Sequence, residues 1–175
     1  MEYEFILKFA LPKPDDDPSD FLDALYEAGC GDDAVIGVGK RGTIALDFTL
    51  QGESANEAVL SAVENVTKAI PGAVLTEVTP DLVTLAGVAD VIGCSRQNIR
   101  KYAAGEIKTL ETAFPQPVVS GAATLWSLYE VTDWFKRNTD LRPPRSVIEV
   151  SRIARRINVG IQLRRVQETE SIAAE

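Results

Sequence analysis

Histidine is absent from the 175 residues. That removes Ser-His-Asp and Cys-His nucleophilic catalysis, His-ligated zinc and the commonest near-neutral general base in one step. Cysteine is nearly as scarce. Cys30 and Cys94 are too few for a disulfide framework or an all-cysteine zinc site, so both read as reduced packing residues. No apolar run approaches the roughly 18 residues of a membrane span, and Met-Glu-Tyr-Glu lacks the positive start of a signal peptide. The expectation is a cytoplasmic protein with no membrane contact, no metal and no cofactor, and not an enzyme.

What is present is hydrophobic content of 45%, enough for one sizeable core or two small ones. The net charge of -8 hides an asymmetry. Residues 1 to 81 hold five Lys and Arg against sixteen Asp and Glu, a net -11, whereas residues 82 to 175 hold thirteen against ten, a net +3. Stopping at Gln167 leaves that second half at +6. Such a division predicts two domains with different partners, the basic one facing an anion and the acidic one held away from it or offered to a protein partner.

The acidic half reads as strand, helix, strand, strand, helix, strand. Tyr3, Phe5, Leu7, Phe9 and Leu11 alternate with Glu4, Ile6, Lys8 and Ala10, the period of two of a strand with one face in a core. Pro18 and Ser19 start a helix with Phe21, Leu22, Leu25 and Tyr26 on one stripe, ending at Gly29. Ala34 to Val38 and Thr43 to Leu50 form a hairpin. Ser54 and Glu57 make a capping box for a helix with Val59, Val63, Val66 and Ile70 inward, and Ala73 to Val78 is the last strand before Thr79-Pro80. This βαββαβ order predicts a ferredoxin-like sandwich over residues 1–80, a fold that assigns no role by itself. Gly29, Gly31, Gly37, Gly39 and Gly42 lack the spacing of a phosphate-binding loop and read as turns. Asp15, Asp16, Asp17, Asp32 and Asp33 lack EF-hand spacing and read as a solvated rim rather than a cation site.

Residues 85 to 102 carry the functional signal. A helix-turn-helix needs a small residue at the helix crossing, a turn residue tolerant of positive φ and an apolar lock for the second helix. Ala89, Gly93 and Ile99 supply these, with Leu85, Val88, Ile92 and Cys94 continuing the apolar face. Ser95 caps the second helix, whose outer face carries Arg96, Gln97, Asn98, Arg100 and Lys101. Arg can grip guanine O6 and N7 with two bonds, and Asn or Gln can do the same for adenine N6 and N7. Downstream, Phe114 to Val119 and Thr124 to Trp126 predict two strands around a Ser120–Ala123 turn, and Ser127 with Glu130 caps a helix presenting Leu128, Val131, Trp134 and Phe135.

On the Val88-Ala89 to Ser95-Arg96 motif, the Phe114-Pro115-Pro117 entry and Leu125-Trp126 followed by Val131-Trp134, the segment Leu82 to Phe135 resembles the winged helix-turn-helix of the MerR and phage-excisionase superfamily. The resemblance covers about a third of the chain. It implies a double-stranded DNA partner, a recognition helix bearing Ser95, Arg96, Gln97, Asn98, Arg100 and Lys101, and a wing tip from Ser120 to Thr124. The wing carries no Arg or Lys, unlike many relatives, which weakens its expected phosphate contact.

The last long helix, Ser146 to Gln167, repeats Val147, Val150, Ala154, Ile157 and Ile161 at alternating spacings of three and four, the seam of a two-helix pairing. It predicts a homodimer with two recognition helices about 34 Å apart on an inverted repeat. The alternative is that the stripe packs back on its own domain. The whole predicts an α+β chain: a sandwich over 1–80, a winged helix-turn-helix over 82–138, and a dimerisation helix over 146–167. The function expected is a dimeric transcriptional regulator. An excisionase-like DNA-bending factor and an antitoxin that autoregulates its operon use the same residues differently.

Overall fold

The structure is a computed structural model describing residues 1–31 and 33–173, so Asp32 of the acidic rim lies outside the described residues. Along the chain run β1 (Glu2–Ala10), a 3-10 turn (Pro18–Phe21), α1 (Leu22–Glu27), β2 (Ala34–Gly37), β3 (Thr43–Gln51), α2 (Ala55–Ala69) and β4 (Val74–Thr79). Then come β5 (Leu82–Val83), α3 (Leu85–Ile92), α4 (Arg96–Ala103), β6 (Trp126–Ser127), α5 (Leu128–Asn138) and α6 (Arg145–Ala173). The chain is therefore mixed α+β, with a four-stranded antiparallel sheet and a long C-terminal helix.

Strand order in the sheet is β2-β3-β1-β4, with every neighbouring pair antiparallel. The period of two in β1 becomes one buried face, Tyr3, Phe5, Leu7 and Phe9, continued across β3 by Ile44, Leu46 and Phe48. Phe5 and Phe48 stack with centroids 5.4 Å apart. The helices cover this face, α2 contributing Ala55, Ala58, Val59, Ala62 and Val66. Its start is fixed as expected, Ser54 Oγ accepting the Glu57 N–H at 3.2 Å. The opposite face carries exposed Glu2, Glu4, Lys8 and Asp47.

The acidic loop is structural. Asp17 accepts the Ser19 N–H at 3.0 Å and meets Arg41 at 3.3 Å, while the Gly42 N–H donates to the Asp16 carbonyl. Gly42 has φ +72°, and a Cβ there would lie 2.4 Å from the Pro14 oxygen, so the chain crossing itself requires glycine. Among the described residues no cluster of three or more acidic or cysteine side chains could hold a metal ion. Tyr26 departs from the expected stripe. It is exposed and lies over Gly31, where a Cβ would touch its ring.

The clearest correction concerns α6. Val150, Ala154 and Ile161 are buried within the single chain, Val150 and Ala154 inside the sandwich core with Ile153 and Ile157 packed against it, and Val147 is half-buried. The helix lies on β4, β1 and α2 and also on α5. The stripe thus packs on its own chain, fully at Val150, Ala154 and Ile161 and in part at Val147 and Ile157, so these side chains are not free to form the expected dimer seam. Polar contacts fix the docking. Tyr3 donates its hydroxyl to Glu149 at 2.8 Å, Arg145 Nε donates to the same carboxylate at 2.7 Å, and the Asn158 amide clamps both the N–H and the carbonyl of Val78 at 2.8 Å. Past Ile161 the described side chains of α6 are all exposed.

A second, separate core holds the other half: Val88, Ala89, Ile99, Phe114, Val131, Trp134 and Phe135. Tyr102, Phe114, Trp134 and Phe135 meet edge-to-face with centroids 5.0 to 6.0 Å apart. The two halves are joined at Asp81, whose carbonyl accepts the Leu128 N–H at 2.7 Å. No helix among the described residues is long and apolar enough to cross a membrane.

Candidate nucleic-acid interface

Helix α3 begins at Thr84, whose hydroxyl accepts the Gly87 N–H at 3.3 Å, and ends at Gly93 with φ +74°. That left-handed residue lets the Cys94 N–H bond back to the Ala89 carbonyl at 3.1 Å and turns the chain into α4. Ser95 then accepts the Asn98 N–H at 3.2 Å, satisfying one of the free donors at the start of α4. Ile99 is 0% exposed between α4 and its partners, and Tyr102 reaches the aromatic cluster. These contacts hold one side of α4 and leave the other outward.

On that outward side Arg96, Gln97, Arg100 and Lys101 are all exposed, at spacings of one, three and one. Arg96 over Arg100 and Gln97 over Lys101 are neighbours on a helix surface. Among the described residues none of Arg96, Arg100 and Lys101 is in an ion pair. Arg100 and Lys101 lie in the last turn, where the helix dipole favours positive charge. Ser95 is exposed too, but its hydroxyl oxygen is used as the cap. Asn98 is half-buried and its amide faces Cys94, so it belongs less to the outer surface than the sequence predicts. Burial pushes the Cys94 thiol up, against the opposing Asn98 contact, and burial likewise raises Cys30.

The wing takes a different form from the two strands expected. A single bridge joins Val119 to Leu125, beginning with the Val118 N–H donating to the Leu125 carbonyl at 2.8 Å. Pro115 and Pro117 have no N–H, so a ladder cannot extend back through them. Trp126 and Ser127 instead pair with β5, in the register Leu82 to Ser127 and Val83 to Trp126. Phe114 anchors the segment in the aromatic cluster, and Trp126 donates its indole N–H to the Pro115 carbonyl at 3.1 Å. At the tip Ser120 is exposed and Thr124 half-buried, with uncharged Val118 and Val119 beside them.

Sequence reasoning passed over Asp81 and Asn158. Asp81 is 5% exposed; its Oδ2 accepts from the Asn158 amide at 2.8 Å, and its Oδ1 has no hydrogen-bond partner. Burial raises its carboxyl above the ordinary range, with Glu77 adding to the rise and Asn158 and Arg155 opposing it. Single polar residues follow no period, and only the packed structure brings these two together.

No known protein family, curated protein or solved structure matches the chain. The winged helix-turn-helix resemblance therefore stands on the residues of 82–135 alone.

Proposed function

We propose that the protein binds double-stranded DNA sequence-specifically, with α4 in the major groove, and acts as a cytoplasmic transcriptional regulator. The observation that carries this is the division of α4: Ile99 sealed in the core while Arg96, Gln97, Arg100 and Lys101 stand outward, the cations without carboxylate partners among the described residues. An outward row of fork-shaped and amide donors suits base edges, and Lys101 suits phosphate. The wing tip Ser120 to Thr124, short and uncharged, adds backbone contact only. Two chains on an inverted repeat, paired through a surface other than the α6 stripe, would set two recognition helices about 34 Å apart, and chain stoichiometry on the duplex is a measured outcome.

Selection from a random duplex library with the full chain tests the reading. An enriched motif bound by the wild type, with Arg96→Ala and Arg100→Ala each losing roughly 1 to 3 kcal/mol at one base position, supports it. No enrichment, or enrichment unchanged in the double variant, overturns it.

A further inference from the structure

Between α5 and the first turns of α6 runs a groove of about 460 Å³ whose charged lining is Asp133, Lys136, Arg145, Glu149 and Arg152. Its two carboxylates are already answered. Asp133 pairs with Arg137 at 2.8 Å, and Glu149 takes Arg145 at 2.7 Å and the Tyr3 hydroxyl at 2.8 Å. Lys136 and Arg152 are exposed and stand in no ion pair among the described residues. Arg156, exposed and unpaired in the same sense, lies four residues beyond Arg152, about 6 Å further along the helix axis. The row thus carries three cations and no carboxylate left to neutralise them.

We propose that Lys136, Arg152 and Arg156 bind the phosphate backbone of duplex DNA without reading its sequence, as a second contact separate from α4. Direction favours this. Val150 and Ala154, on the reverse side of α6, are buried in the sandwich core, so the row points away from it. The acidic Glu2, Glu4 and Asp47 lie on the far face of the sheet, beyond the full width of α6, about 10 Å, which exceeds the Debye length of about 8 Å at physiological salt. The first turn of α6 contains no acidic residue, so the positive end of the helix dipole adds to the row.

Chemistry chooses the partner. A protein interface needs a desolvated apolar centre, and no large apolar side chain from Leu128 to Arg156 is exposed. A phosphate backbone asks only for cations on long stems and releases its counterions to them. One strand presents a charge about every 3.4 Å of axis, so the step from Arg152 to Arg156 spans about two phosphates. The contact goes beyond the reading of α4 and does not rest on it, since it is measured on duplex of random sequence.

The test is fluorescence anisotropy of the full chain with a labelled random duplex of about 30 base pairs, from about 50 to about 200 mM salt. Binding that weakens linearly in log K against log salt is expected. Lys136→Gln, Arg152→Gln and Arg156→Gln should each reduce the slope by about 0.9, and the triple variant by about 2.7, with affinity at least about tenfold lower at the low-salt end. The same reduction is expected in the Arg96→Ala, Arg100→Ala background, while any motif selected by the wild type is unchanged in the triple variant. All three side chains are exposed and outside every ion pair among the described residues, so the triple variant keeps the wild-type melting temperature. No binding to random duplex, or a slope unmoved in the folded triple variant, overturns the proposal. Poly-glutamate bound as tightly as duplex at equal salt overturns it too, because the row then suits an acidic protein surface. Absence of an enriched motif counts against α4 alone.

Discussion

Replacing Val150 by Ala tests where the stripe of α6 is buried. Val150 is 1% exposed and lies in the sandwich core. The change removes two carbons from a packed site, about 1.6 kcal/mol of transfer free energy at about 0.8 per carbon. Incomplete collapse around the gap brings the total to about 2–3 kcal/mol. For a chain of 175 residues each kcal/mol moves the melting temperature by about 2–4 °C, so a fall of about 4–12 °C is expected. Burial in cis is unimolecular, so the fall must stay the same between about 1 μM and about 100 μM protein. Differential scanning calorimetry reads both quantities. Val159→Ala, on the same helix but half exposed, is the control and should shift stability by no more than about 0.5 kcal/mol. If the loss at Val150 appears only at low concentration, or if sedimentation shows that it dissociates a dimer, the cis assignment is wrong.

Gly93→Ala forces a Cβ onto φ +74° with nothing nearby to clash, so the cost is conformational, about 1 kcal/mol, read by urea denaturation and by faster hydrogen exchange in α4. Ser95→Ala removes the N-cap and should cost about 1 kcal/mol in the same assays. Asn158→Leu leaves the Val78 N–H and carbonyl unpaired, a loss of about 2–5 kcal/mol in urea denaturation. Asp81 gives the pH dependence. Its carboxyl is raised in the folded state, so its favourable contribution is complete below the unfolded value and fades as pH rises through the folded one. Asp81→Asn should therefore gain on the wild type in melting temperature as pH rises above the ordinary carboxylate range, and a difference that does not change with pH would refute the burial argument.

Local rules carried far in this chain, and the reason is visible in particular residues. The alternation through Tyr3 to Phe9 is buried residue by residue, and the serines at 54, 95 and 127 each accept the N–H three residues on. These signals are short-range and complete in themselves. The α6 stripe is different in kind: a period of three and four says that a face is buried, and says nothing of whether the cover is another chain or the same one. Proline decided the wing against its β-rich composition. Asp81 and Asn158 meet across 77 positions of sequence, which no window of periodicity spans. On α4, exposure could be read from the pattern for Arg96, Gln97, Arg100 and Lys101, whereas the turning of Asn98 toward Cys94 depends on packing.

The Asn158 clamp bears also on what happens when many copies of the chain are crowded together. β4 is an edge strand, and an edge offers its unpaired backbone groups to any other strand that comes alongside. By occupying both groups of Val78 with a side-chain amide, α6 ends that row before a foreign strand can add to it. The opposite edge, β2, is only four residues long but exposes Val35 to 76%. Fibrous association, if the chain is destabilised, should therefore start from β2 first and spread to β4 only after α6 has peeled away.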